Sequence, residues 1–136
     1  MSTHDRPQDP RPPLLVSGNA DIVDLYVLAL RSARISILSV GAVDEALQLI
    51  RDHSVSAVIV DVATPAVDWD VCRLLQEQMQ DGVPLIVLTG WIDADARQQA
   101  AAVRCAAFVG KPASPERLLD VLRRTRAGER EIVAID

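Results

Sequence analysis

An apolar run that ends in an acid, Ala57-Val58-Ile59-Val60-Asp61, decides the fold class of this chain. Four further short runs rich in Val, Ile, Leu and Ala occur, and longer stretches with helical periodicity separate them. Strands buried on both faces of a parallel sheet are nearly continuously apolar. Regular strand–helix alternation therefore predicts an α/β domain, with a single doubly wound sheet of five parallel strands and five helices. The other runs are Leu14–Val16, Ile35–Val40, Leu85–Leu88 and Ala107–Val109.

The stretches between the runs carry helix signals. Residues Ile22, Leu25, Ala29 and Ser32 recur every three or four positions, which predicts one face of the first helix. The fifth helix is predicted to begin at Ser114-Pro115, a capping hydroxyl followed by proline at the first helical position. The other helices have an acid at or near the first turn, where free N–H groups favour a carboxylate. These acids are Asp21, Asp44, Asp70 and Asp93.

Composition limits the class of protein. The chain has 136 residues, of which 49% are hydrophobic and 24% charged, which suits one globular domain. No apolar run approaches the roughly 20 residues that cross a bilayer, so no membrane segment is expected. The net charge of −5 argues against a nucleic-acid partner. Cys72 and Cys105 lack metal-ligand spacing, which indicates a reduced, cytoplasmic chain.

The chain divides into three regions that differ in composition and hydrophobic pattern. Residues 1–13 hold four prolines among polar neighbours and are predicted to form a disordered tail. Residues 14–127 contain the strand–helix alternation and are predicted to form the folded domain. Gly128 is predicted to end the last helix, so that residues 128–136 form a C-terminal extension.

Polar residues follow three of the predicted strands. Asp61 ends the third run, Thr89 follows the fourth, and Lys111 comes soon after the fifth. Ligand sites of open α/β sheets lie beyond the carboxyl ends of the strands, where the strand order reverses. There a carboxylate can form an acyl phosphate, while a hydroxyl and a lysine can bind the phosphoryl oxygens. The pattern therefore predicts a phosphoryl site.

The segments around these residues resemble the response-regulator receiver family of two-component signalling. The resemblance covers roughly residues 14–126. Residues 58–68 look like the phosphoacceptor strand and loop of that family, and residues 85–90 look like its fourth strand with the switch hydroxyl. Residues 108–112 look like its fifth strand, with the switch aromatic, the lysine and a proline. Three motifs in the right order and spacing carry the resemblance.

The resemblance implies a flavodoxin-like fold of the receiver type. It implies that Asp61 occupies the phosphoacceptor position, with Thr89 and Lys111 beside it, and that Thr89 and Phe108 are switch residues. It also makes the Lys111–Pro112 peptide bond a cis candidate. The expected function is that of a non-enzymatic, single-domain receiver in phosphorelay signal transduction. The expected partners are a histidine kinase, a phosphotransfer protein or another regulator, and a second copy of the chain is a further candidate.

The chain departs from the family after its first strand. Receivers have two adjacent acids there that help to hold Mg²⁺, whereas this chain has Ser17 and Gly18. Only Asp61 and the carbonyl of Ala63 are left as metal ligands, so Mg²⁺ is expected to bind weakly. Without the acidic pair, Asp61 and Lys111 can form a simple ion pair. The resulting hypothesis is a site that is stable when empty and slow to phosphorylate.

Several interpretations stay open from the sequence. Asp61 is either an active phosphoacceptor or a structural acid paired with Lys111. The domain is either a phosphorylation-dependent switch or a phosphorylation-independent module that pairs through its fourth and fifth helices and fifth strand. A flavodoxin-like cofactor binder and an aspartyl phosphatase are less favoured: residues 17–20 are poor in glycine and hydroxyls, and Ala63 stands where such a phosphatase has its second acid. Trp69 and Trp91 are either partner anchors or covers of the site mouth, with Trp91 the candidate for a partner surface.

Overall fold

The computed structural model describes residues 10–62, 68–80, 82–90 and 93–134. Strands and helices alternate through the whole of this part of the chain. The strands are β1 (Pro13–Val16), β2 (Leu38–Val40), β3 (Ala57–Val62), β4 (Leu85–Thr89), β5 (Ala107–Gly110) and β6 (Ile132–Ala134). The helices are α1 (Ala20–Ser32), α2 (Val43–Arg51), α3 (Trp69–Gln78), α4 (Ala94–Ala102) and α5 (Pro115–Arg126).

The strands form one parallel sheet in the order β2-β1-β3-β4-β5-β6. The chain moves outward from β1 to β2 and then returns to add β3, so the strand order reverses beside β1. Buried residues of α2, α3 and α4 pack on one face of the sheet, and those of α1 and α5 pack on the other. The expected doubly wound α/β fold is confirmed, since four central strands are buried along their whole length.

The sheet has six strands where the sequence analysis expected five. The chain turns after α5 at Gly128, whose φ of 104° is the left-handed conformation that glycine adopts without strain. The N–H of Gly128 donates to the carbonyl of Thr125, and the N–H of Glu129 donates to that of Arg124. This hydrogen-bond pattern closes the helix and directs the following residues along the edge of β5. Part of the C-terminal extension thereby becomes β6, parallel to β5.

The expected face of α1 is partly wrong. Leu25 is 49% exposed, and the buried residues of the helix are Tyr26 and Leu30. α1 carries apolar residues on several sides, so the spacing of apolar positions alone does not select the face that packs on the sheet. The neighbouring row of Tyr26 and Leu30 is the one that meets the core.

The helix starts agree closely with the predictions. Asp93 caps α4 and Ser114 caps α5, with Pro115 as the first helical residue. Asp21, Asp44 and Asp70 lie in the first turns of their helices.

At the N-terminal end of the described residues, the carbonyl of Pro12 accepts a hydrogen bond from the N–H of Ser56. β1 begins at Pro13, inside the region predicted as a tail. Residues 1–9 of that predicted tail lie outside the described residues. No helix within the described ranges is both long and apolar enough to cross a membrane.

Candidate functional site

The predicted site residues meet at the carboxyl edge of the sheet, next to the reversal of strand order. Asp61 is the fifth residue of β3, so the strand continues one residue beyond the predicted strand end. Thr89 closes β4, and Lys111 follows β5 directly. Ser17 follows β1 on the other side of β3. The parallel register therefore brings one acid, two hydroxyls and one lysine to the same edge.

Asp61 is buried, with 1% of its surface exposed, and both of its carboxylate oxygens accept hydrogen bonds. Oδ1 accepts from the ammonium of Lys111 at 2.6 Å, and Oδ2 accepts from the hydroxyl of Ser17 at 2.9 Å. The side chain of Lys111 is only 17% exposed. Bonds of this kind to an ionised group are about twice as strong as neutral ones. The ion pair expected from the sequence is present, and a serine completes it.

Ser17 connects the first strand to the acid. Its backbone N–H donates to the carbonyl of Val40 at 3.0 Å, which fixes the residue at the end of β1. Its hydroxyl accepts from the N–H of Asn19 at 3.1 Å while it donates to Asp61. Ser17 is buried, whereas Gly18 is exposed. Ser17 stands where the family has an acid, and its hydroxyl donates to Asp61 instead.

Two contacts outside the predicted set hold the loop that carries Lys111. The N–H of Lys111 donates to the carbonyl of Thr89 at 2.8 Å, which ties the end of β5 to that of β4. The hydroxyl of Tyr26 donates to the carbonyl of Ala113 at 2.7 Å. Burial raises the pKa of Tyr26, and the nearby charge of Asp61 raises it further. The Lys111–Pro112 bond is cis, as the resemblance led us to expect.

The described residues do not fit a magnesium site. Mg²⁺ requires oxygen ligands, mainly carboxylates and water, and both oxygens of Asp61 already accept bonds from the protein. Within residues 10–62, 68–80, 82–90 and 93–134, no group of three or more His, Cys, Asp or Glu side chains is placed to hold a metal ion. Ala63, the other expected ligand, lies outside these ranges.

The structure describes most of the remaining predicted residues but not Trp91. Thr89 is buried at the end of β4 and Phe108 is buried within β5, and their switch roles stay predictions. Trp69, which was either a partner anchor or a cover of the site mouth, opens α3 and packs partly buried against the core. Asp68 caps that helix by accepting from the N–H of Val71. Trp91, the candidate for a partner surface, lies outside the described residues.

Comparison with known proteins agrees with this arrangement. Residues 14–123 match the family model of the response regulator receiver domain. The chain belongs to that family. The match ends within α5, so β6 lies beyond it. No curated protein sequence matches the chain.

Solved structures of other receivers have a similar fold. The Vibrio cholerae chemotaxis protein CheY4 is 24% identical, with a TM-score of 0.75 over 85% of this chain and 98% of that one. The non-phosphorylated HemR receiver domain from Leptospira biflexa is 21% identical, with a TM-score of 0.75 over 88% and 97%. A CheY-like receiver domain protein from Methanospirillum hungatei is 17% identical, with a TM-score of 0.76 over 85% and 93%. At these identities, the likeness concerns the fold.

Proposed function

We propose that this receiver acts in phosphorelay signal transduction through protein–protein contacts, and that Asp61 rests in a closed, slowly reacting state. The observation that carries the proposal is the pair of contacts on Asp61, in which Lys111 holds one carboxylate oxygen and Ser17 holds the other. Asp61 and Lys111 stand at the positions that the family uses for phosphate acceptance. The serine contact is the feature that departs from the family pattern.

The contacts on Asp61 explain why the reaction should be slow. To accept phosphate, one oxygen of Asp61 must attack phosphorus while the bond from phosphorus to the leaving group breaks. Both oxygens already accept a hydrogen bond, and the carboxylate is almost entirely buried. Each oxygen keeps a further lone pair, but a phosphodonor reaches it only if the buried cluster opens, and opening disturbs contacts that compensate a buried charge.

The proposed partners follow from the assignment of Asp61 as the residue that accepts phosphate. A phosphoryl group would come from a histidine kinase or a phosphotransfer protein, and the output would pass to another regulator or to a second copy of the chain. We expect a cytoplasmic setting and no enzymatic turnover of a small substrate.

A phosphodonor assay tests the resting state. The wild-type protein is incubated with acetyl phosphate, with and without Mg²⁺, and intact mass is followed over time. We expect slow phosphorylation with little dependence on Mg²⁺. The variant Ser17→Asp/Gly18→Asp restores the acidic pair and should react about tenfold faster or more, only with Mg²⁺, because a barrier change of about 1.4 kcal/mol is a factor of ten.

Asp61→Asn is the control in both backgrounds and should remove the added mass. Fast, Mg²⁺-dependent phosphorylation of the wild-type protein at Asp61 would show that the closed state is not an obstacle.

The closed site also favours a second candidate, a phosphorylation-independent interaction module. The surface expected for such a module consists of α4, β5 and α5. It differs from that expectation because β6 pairs with the outer edge of β5. A strain that carries Asp61→Asn distinguishes the two functions. It should behave like a deletion strain if phosphate transfer is required, and like the wild type if contact alone is sufficient.

A further inference from the structure

A second region suited to binding lies between α4, β5 and β6. It is a half-open cavity of about 470 Å³, which is within the range of sites for small molecules. It opens on the same face of the sheet as α2, α3 and α4. Its lining residues that matter here are Arg97, Ala100, Arg104, Phe108, Arg130 and Val133.

The cavity exists because β6 widens the sheet beyond the helix that covers it. Phe108 of β5 and Val133 of β6 are register partners and point to the same face. α4 packs over Phe108, which is 3% exposed, but it does not reach Val133, which is 60% exposed. The two side chains form a continuous apolar floor, half covered and half open.

The rim of the cavity is basic in a chain whose net charge is −5. Three arginines and one acid, Glu131, line it, which gives a formal local charge of +2. Arg97 lies on α4, and Arg104 follows the end of that helix, in the left-handed conformation. Neither of them forms an ion pair with any residue in the described part of the chain.

Arg130 is held differently. One of its terminal nitrogens donates to the carbonyls of Thr125 and Glu129, so its cation is fixed where the chain enters β6. The cavity therefore has a fixed cation before β6, one exposed cation on α4 and a second exposed cation just after that helix. Guanidinium groups bind carboxylates, sulfonates and phosphates through paired hydrogen bonds.

We propose that this cavity binds a small amphiphilic anion, an acidic group attached to an apolar body. The apolar body would lie on Phe108 and Val133, and the acid would lie at the arginines of the rim. The positive rim disfavours a cationic ligand. It also disfavours a symmetric contact with the same cavity of a second copy, because the arginines would face one another. The proposal does not depend on phosphorylation of Asp61.

Titration with decanoate tests the proposal on the full chain. We expect saturable binding below the micellar range, with amide NMR shifts concentrated at Ala100, Arg104 and Val133. Decyltrimethylammonium carries a chain of the same length with the opposite charge and should not bind saturably. The variant Arg97→Gln/Arg104→Gln should weaken decanoate binding by about tenfold or more, because hydrogen bonds to charged groups are the strong ones.

The matched control is Arg31→Gln/Arg51→Gln, which removes the same charge from exposed ends of α1 and α2. It should leave decanoate affinity within about twofold, because surface charges farther away than the Debye length are screened. Equal binding of both amphiphiles, equal losses in both double variants, or shifts located elsewhere would overturn the proposal. So would a wild-type dimer that Val133→Glu dissociates, since that result would assign the cavity to a second copy.

Discussion

The last strand before α5 borders two regions of opposite character. At its carboxyl end, Lys111 meets Asp61 in a closed cluster in which the buried charge is paired and hydrogen-bonded. Beside it, Phe108 forms the floor of an open cavity, at which the exposed Arg97 and Arg104 form no ion pair with another residue that the structure describes. β5 therefore lies between a cluster of buried, paired charges and a cavity with exposed charges at its rim.

The difference lies in solvation. A buried charge must be compensated by the protein, so the contacts within the cluster should be important for folding and should resist a competing ligand. Arginines at an open rim keep their water and contribute little to folding, so they remain able to bind an acid. Substitutions in the two regions should therefore differ strongly in their effect on stability.

Among the substitutions, the largest effect is expected for Lys111→Met. It removes the ammonium from a buried carboxylate and should lower the free energy of unfolding by about 3–5 kcal/mol at neutral pH. Urea unfolding followed by circular dichroism measures it. Asp61→Asn is the control, because the amide still has partners in Ser17 and Lys111, and it should cost clearly less. Equal losses in both variants would mean that the pair is not strongly coupled.

The next effect is a loss of stability at high pH. Burial raises the pKa of the Cys72 thiol to about 12 and that of the Cys105 thiol, at the cavity wall, to about 11. Unfolded thiols lose their protons near pH 8.5. Between these values the unfolded chain binds fewer protons than the folded chain, so stability falls as pH rises, by up to about 1.4 kcal/mol per pH unit for each thiol.

Urea unfolding between pH 8 and pH 11 measures this slope. Cys72→Ala should be destabilised at pH 7 but should lose less stability per pH unit than the wild type. Parallel curves for the two proteins would show that Cys72 does not titrate differently in the folded state.

A smaller effect is expected for Ser17→Ala. The variant leaves Oδ2 of Asp61 without its hydroxyl donor and should lower the free energy of unfolding by about 1–3 kcal/mol. Ser39→Ala, at an exposed position of β2, is the matched control and should change it by less than about 0.5 kcal/mol. If the two serines gave the same result, the Ser17 contact would not stabilise the cluster.

The smallest effect is expected at the cavity rim. Arg97→Gln/Arg104→Gln should change the free energy of unfolding by less than about 0.5 kcal/mol, because both side chains are exposed and neither pairs with an acid among the described residues. A loss comparable with that of Ser17→Ala would remove the contrast between the two regions.

The sequence was sufficient to predict the core strands and the ion pair between Asp61 and Lys111. The central strands are uniformly apolar, so their positions and carboxyl ends could be read directly, and parallel strands bring those ends to one edge. The pairing of Asp61 with Lys111 followed from the missing acids at Ser17 and Gly18, since no other carboxylate competes for the lysine.

Other features depend on contacts that no local pattern contains. β6 has three residues, and it forms a strand only because the edge of β5 offers backbone partners. The hydroxyl of Tyr26 reaches Ala113, which is 87 positions away in the chain. The cavity follows from β6, so it could not be predicted before the sixth strand was known.

One consequence follows from the short length of β5. Phe108 lies in β5 and Lys111 directly follows that strand, three residues or about 10 Å further along, so one short strand joins the cavity floor to the partner of Asp61. If an anion in the cavity changes the free energy of the phosphorylated form relative to the free form, phosphorylation must change the affinity for that anion by the same factor. Decanoate affinity, measured before and after modification of Asp61, would then report allosteric coupling through a single strand.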